Sequence, residues 1–264
     1  MFRGKGRLVL LLNRILARKG VPYHAIGCVN QLALMDLDLR PWGQKFAYYY
    51  GEWEKQLIDV TRQLYRGGIF IDIGSSLGLY VVCLGDLVRN AEAAIVSIEP
   101  VGFNLARQRT NVRLNGLDDI VQYFQLALGA SEATLRLEAD RDQEDNNAFI
   151  CTTGDLEVQV TTLDRLVRTT GIDDVGFIKM DVEGYEPMVI SGAEETIRRY
   201  HPVILAEFNR ERMAINRFEM APSWQFLTSE GYRAHQIVCG RLLPLLDPGE
   251  VENIFFLPSC QVAV

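Results

Sequence analysis

The sequence predicts an α/β fold: a mostly parallel sheet with helices on both faces, plus an N-terminal helical segment. Three observations carry that reading. Short β-branched runs recur, IFIDI at 69–73, AIVSI at 94–98, VGFIKM at 175–180 and PVILA at 202–206. Stretches with helical spacing lie between them, the alternation that builds a parallel sheet. The chain of 264 residues is 48% hydrophobic and 23% charged, enough to bury a large core without disulfide or metal staples.

The elements follow in order. Residues 1–66 read as a helical cap or lid, and residues 67–264 as the main domain. In the first stretch Arg3, Arg7, Arg14 and Arg18 share a narrow helical arc beside Leu8, Leu11, Leu12, Ile15 and Leu16. Gly20 and Pro22 end that helix. Its leucines suit packing on the main domain, and its basic face also suits peripheral contact of residues 3–19 with an anionic membrane. Aromatics then cluster from Trp42 to Trp53, and a helix is expected over 52–65. They read as core or as a lid over the strand ends. Beyond Gly67 the expected strands are 69–73, 94–98, 121–126, 175–180 and 202–206. A pair at 133–138 and 157–160 flanks a polar loop, and 232–238 with 253–257 form a closing pair. Helices are expected after the first glycine turn as far as Val88, at 103–114, at 163–169 and near 186–200.

Charge narrows the functions. The net charge is −7, and residues 1–35 carry six basic side chains and no acid, so the remainder carries −13. An acidic body repels phosphates, which argues against a nucleic-acid binder. No apolar run approaches the ~18–20 residues of a membrane span. Five cysteines without a C-x-x-C pair, and without a secretory signal, read as reduced thiols of a cytoplasmic protein, with a membrane surface as the alternative site for the basic helix.

Ligands of open α/β sheets bind beyond the carboxyl ends of the strands. The first such turn reads D-I-G-S-S-L-G, residues 72–78. Gly74 permits a tight turn and Gly78 a close helix contact. The spacing is not the G-x-G-x-x-G of a dinucleotide site, which sets a nicotinamide oxidoreductase aside. Asp72 is expected at the loop mouth, where a carboxylate suits a cationic ligand, or else as a cap of the loop. Glu99 ends the next strand and suits a pair of ribose hydroxyls. Loop and acid together fit S-adenosylmethionine.

The chain also resembles the FkbM-type methyltransferase family. The matching stretches are FIDIGSSLGLY, SIEPVGFNLARQRTNVRLNG, QLALG, VTTLDRL, FIKMDVEGYEPMVISGAEETI and HPVILAEF, in the family's order, over about residues 67–210. The resemblance implies a class I, Rossmann-like methyltransferase with a seven-stranded sheet. It implies S-adenosylmethionine held by Asp72, Gly74, Ser75, Gly78, Glu99, Pro100, Asn104, Leu126, Ala127 and Asp181. It implies O-methylation of a hydroxyl on a sugar, glycan or natural product. Residues 1–50 and 211–264 carry none of these quoted stretches and are expected to set the acceptor.

Alternation along the fourth strand puts Lys179, Asp181 and Glu183 on one side while the strand persists. These three are the expected catalytic residues, with Asp181 orienting or deprotonating the acceptor. A structural network is the other reading, with Lys179 paired to Glu207 across the strands. A Mg²⁺ held by Asp181, Glu207 and Asn209 is a less favoured alternative. A carboxyl or N-methyltransferase for a small molecule or peptide, and a non-catalytic S-adenosylmethionine-binding protein, complete the alternatives.

Overall fold

The computed structural model describes residues 23–139, 148–150 and 154–259. The basic helix expected at 3–19 and most of the polar loop at 140–155 lie outside the described residues. In chain order the elements are β1 (His24–Val29), β2 (Ala33–Asp38), α1 (Trp42–Tyr50), α2 (Lys55–Leu64), β3 (Ile69–Ile73), α3 (Leu79–Asn90), β4 (Ile95–Ile98) and α4 (Gly102–Leu114). There follow β5 (Val121–Phe124), β6 (Ala127–Leu128), β7 (Ala133–Ala139), β8 (Ala148–Ile150), β9 (Leu156–Thr161), α5 (Leu163–Thr170) and β10 (Val175–Met180). The chain continues through α6 (Glu186–Ser191), α7 (Glu194–Tyr200), β11 (Val203–Glu207), α8 (Arg210–Asn216), α9 (Ala221–Ser229), β12 (Tyr232–Val238), β13 (Arg241–Pro244) and β14 (Asn253–Pro258).

The central sheet runs β13-β12-β14-β11-β10-β3-β4-β5. The five strands from β11 to β5 are parallel, and β14, β12 and β13 close the sheet antiparallel. The expected seventh strand is therefore followed by an eighth, the four-residue edge strand β13. A second sheet, β6-β9-β7-β8, stands beside the strand ends.

Neighbouring residues of each central strand feed two cores. Ile71, Ile73, Val96, Ile98, Ile178 and Met180 pack with α5, α6 and α7 on one face. Phe70, Ile95, Phe177, Val203 and Leu205 pack on the other with α3 and the N-terminal segment, and Phe70 stacks on Phe177 at 5.3 Å. Burying both faces is why these strands read as continuous apolar runs.

Two differences from the sequence reading have local causes. The helix expected near 186–200 is broken into α6 and α7. Asp164 of α5 caps the start of α7, accepting from Glu195 N at 3.0 Å and Thr196 N at 2.7 Å. A tertiary partner thus fixes the break. The described part of the N-terminal segment begins with a hairpin that the sequence reading did not include: Asn30 and Gln31 both have positive φ, which turns β1 into β2. Its outer strand does not waste its backbone groups on water. Asn111 of α4 and Asn115, which caps its end, accept from Asp36 N and Leu34 N at 2.7 and 2.9 Å. Arg107 of the same helix donates to Asp36 O at 2.8 Å and to Gln44 Oε1 at 3.0 Å. These bonds dock the segment on the main body and bring residues 41–54 over the strand ends.

Candidate active site

The turn after β3 is stitched to the strands on either side. Gly74 N and Ser75 N both donate to Ile98 O, at 2.9 and 3.1 Å, and Asp181 N donates to Ile73 O at 3.0 Å. Gly74 has φ +74°, and a Cβ there would lie 1.8 Å from Asp181 O. Only glycine lets the turn approach the tip of β10 so closely. Gly78 has φ +81° and faces Gln108, 2.6 Å from where its Cβ would sit.

Glu99 locks this turn from the next strand. Its Oε2 accepts from Ser76 N at 2.8 Å, and its Oε1 accepts from Val101 N at 2.8 Å and Asn104 Nδ2 at 3.4 Å. Burial pushes its carboxyl up to about 7 against those bonds. Glu99 lines a cleft of about 690 Å³ with Gly74, Pro100, Asn104, Leu126, Ala127 and Asp181. Ile98, Leu128, Leu137 and Tyr185 supply apolar wall.

Three expected site residues sit elsewhere. Asp72 is not at the loop mouth. The strand continues through Ile73, so Asp72 lies beneath the turn, fully buried, in register with Lys179 on one side and Ser97 on the other. Lys179 Nζ is 3.9 Å from it, its oxygens have no hydrogen-bond partner among the described residues, and burial pushes it up to about 6. Gly78 shapes the turn without lining the cleft. The Ser75 hydroxyl bonds to Ser97 Oγ at 2.8 Å, although the residue borders a second cleft.

That second cleft, about 910 Å³, carries more charge than the first. The strand tips give it Lys179, Asp181, Glu183 and Glu207, and the N-terminal segment gives it Pro41, Gln44, Trp53 and Glu54. It shares Gly74, Ser76, Asp181 and Glu183 with the first cleft. Lys179 Nζ lies 3.4 Å from Asp181 Oδ2 and 4.9 Å from the centre of the Tyr80 ring. Burial would strip its proton, but the charges of Asp181, Asp72, Glu54 and Glu207 outweigh burial and hold Lys179 cationic. Its ion pairs are with Asp72 and Asp181; the expected pair with Glu207 does not form. Burial, with Asp181 and Glu54 adding to it, pushes Glu207 up to about 8.

Glu183 leaves the strand with φ +53°, and Asn209 Nδ2 donates to it at 3.2 Å. Asn209 Oδ1 meanwhile caps α8 by accepting from Arg212 N at 3.1 Å. Its oxygen is therefore engaged, which weakens the Mg²⁺ set of Asp181, Glu207 and Asn209. Among the described residues no three acids, histidines or cysteines are grouped to hold a metal.

Sequence reasoning missed Glu54, Tyr80 and Glu186. Glu186 braces the turn after β10, accepting from Val182 N at 2.9 Å and Gly184 N at 3.3 Å. Its place two residues after the D-V-E-G stretch was the available signal. Glu54 had none, because its partners are distant in the chain. Together the clefts suit a ligand that is apolar at one end, carries hydroxyl donors, and ends in positive charge beside several carboxylates. Phosphates would be repelled.

A family model described as the methyltransferase FkbM domain matches residues 72–234. No curated protein matches the chain. Among solved structures, a methyltransferase FkbM from Methylobacillus flagellatus KT is similar at 17% identity and a TM-score of 0.48, over 72% of this chain and 43% of that one. This chain thus spans less than half the length of that relative. An O-methyltransferase from Bacillus cereus in complex with SAH is similar at 13% identity and a TM-score of 0.44, over 76% of this chain and 78% of that one.

Proposed function

Because the chain belongs to the FkbM methyltransferase family, we propose that it transfers a methyl group from S-adenosylmethionine to a hydroxyl of a sugar, glycan or natural-product acceptor. S-adenosylmethionine supplies, when bound, an electrophilic methyl carbon on a cationic sulfur. Glu99 would accept from the ribose hydroxyls, with Asn104 beside it. Leu126, Ala127 and Pro100 would flank the adenine. Gly74 and Ser76, common to both clefts, would pass the sulfur toward Asp181.

One observation carries the reading: Asp181 stands where the two clefts share walls, held by a lysine that burial cannot deprotonate. A neutral alcohol attacks a sulfonium poorly. Asp181 Oδ would accept the hydroxyl proton as the oxygen attacks, while Lys179 fixes the carboxylate in place. Holding oxygen, carbon and sulfur in line supplies the rest of the rate. At the reacting carbon, Asp181 and Glu183 would repel a carboxylate acceptor, which argues against carboxyl methylation. A basic amine would stay protonated beside them and lack its lone pair.

Asp181→Asn tests this. Methyl transfer to an acceptor panel, read as a +14 Da product, is expected to fall by about 10²–10⁴-fold. The affinity for S-adenosylhomocysteine is expected to stay within about threefold. Undiminished turnover would sink the role of Asp181.

A further inference from the structure

We infer that Glu54, outside the family match, takes the α-ammonium of the methyl donor's methionine arm. The inference rests on the donor reading above. An arm leaving the first cleft past Gly74 and Ser76 enters the second, since those residues border both. There two of the strand-tip acids are engaged, and the third, Glu207, is pushed up to about 8 by burial and its acidic neighbours, which leaves it the poorer anion. Asp181 is paired with Lys179, and Glu183 accepts from Asn209. Glu54 stands on the wall built by the N-terminal segment, and solvent reaches it. One oxygen accepts from Tyr80 OH at 2.8 Å. The other has no hydrogen-bond partner among the described residues.

The position of Glu54 is built. Asn30 clamps the backbone of the preceding residue from both sides, donating to Trp53 O at 2.7 Å and accepting from Trp53 N at 3.0 Å. Glu54 itself adopts φ +46°, ψ +33° at the start of α2, a conformation that side chains other than glycine rarely take without a reason. Tyr80 lies in the first turn of α3, whose leading amides lack intrahelical acceptors and suit a carboxylate. A zwitterion set there would place its carboxylate near the helix start and its ammonium toward the acid that Tyr80 holds. Charge agrees. Glu54, Asp72, Asp181, Glu183 and Glu207 share Lys179 and, beside Glu183, Arg212, so acids outnumber cations five to two.

Calorimetry on the full chain compares S-adenosylhomocysteine with its deaminated analogue, in wild type and in Glu54→Gln. The wild type is expected to bind the deaminated analogue about 10-fold or more weakly. Glu54→Gln is expected to bind S-adenosylhomocysteine about 10-fold more weakly and to discriminate less than about threefold. A wild type indifferent to deamination overturns the assignment, and so does a variant that still discriminates. A wild type that binds neither ligand overturns the donor reading itself, and this assignment with it. Should Glu54→Gln fail to fold, Tyr80→Phe replaces it. Discrimination reduced by threefold or more then supports the contact, and unchanged discrimination overturns it.

Discussion

The two clefts share four residues and are built on opposite electrostatic plans. The first is satisfied. Both oxygens of Glu99 accept from backbone amides, and the glycine turn is bonded to β4 and β10. The second is strained by its own charge. Acids outnumber Lys179 and Arg212, and among the described residues the Asp72 carboxylate has no hydrogen-bond partner. A satisfied wall is rigid before any ligand arrives; an unsatisfied one gains most when a cation enters. One cleft is thus preformed for shape, and the other is poised for charge.

Mutations can break that contrast. The largest effect is expected from Gly74→Ala in the rigid wall. Its Cβ would meet a backbone carbonyl at 1.8 Å in a left-handed conformation, so neither side can yield. Soluble expression and circular dichroism should show a protein that does not fold natively. Lys179→Met comes next. It strands buried Asp72 and leaves Asp181 without its cation, at a cost of about 3–5 kcal/mol. The loss, read by urea unfolding, should be larger at pH 8 than at pH 5.5, because Asp72 titrates near 6 and Glu207 near 8. An equal loss at both pH values would contradict the acidic-cluster account.

Glu99→Gln is milder. The amide would turn one NH₂ toward a backbone donor, costing about 1–3 kcal/mol and weakening S-adenosylhomocysteine by about 10-fold. Unchanged affinity would place the ribose elsewhere. The gentlest perturbation, which alters no side chain, is pH on the wild type. Burial raises Asp72 to about 6, Glu99 to about 7, and Glu186 and Glu207 to about 8. Groups with raised folded values contribute stability that is complete below their unfolded values and lost as pH climbs through the folded ones. The melting temperature should therefore drop between pH 5.5 and pH 8. Scanning calorimetry that shows a flat or rising profile would refute the burial of these acids.

The same contrast separates what was legible in the sequence from what was not. The rigid cleft was readable because its parts are local. The strand runs, the turn between Gly74 and Gly78, and the acid ending β4 are short patterns whose geometry follows from their own backbone. Asp72 shows the limit: its place in the motif is plain, yet whether it faces the mouth or the interior depends on where β3 stops. The charged cleft was half visible. The tip of β10 could be read from alternation, whereas Glu54 and Tyr80 meet because α2 packs on α3, tied to it by Arg62 and Asp86.

By itself, then, the sequence determined the alternating αβ layers and the family, because periodicity and turn chemistry act over a few residues. Tertiary structure alone decided that Lys179 pairs with Asp72, that Asp164 splits the helix after β10, and that Glu54 joins the strand tips. Each is a contact between segments far apart in the chain, and its energy depends on burial and charge that exist only once the layers have packed.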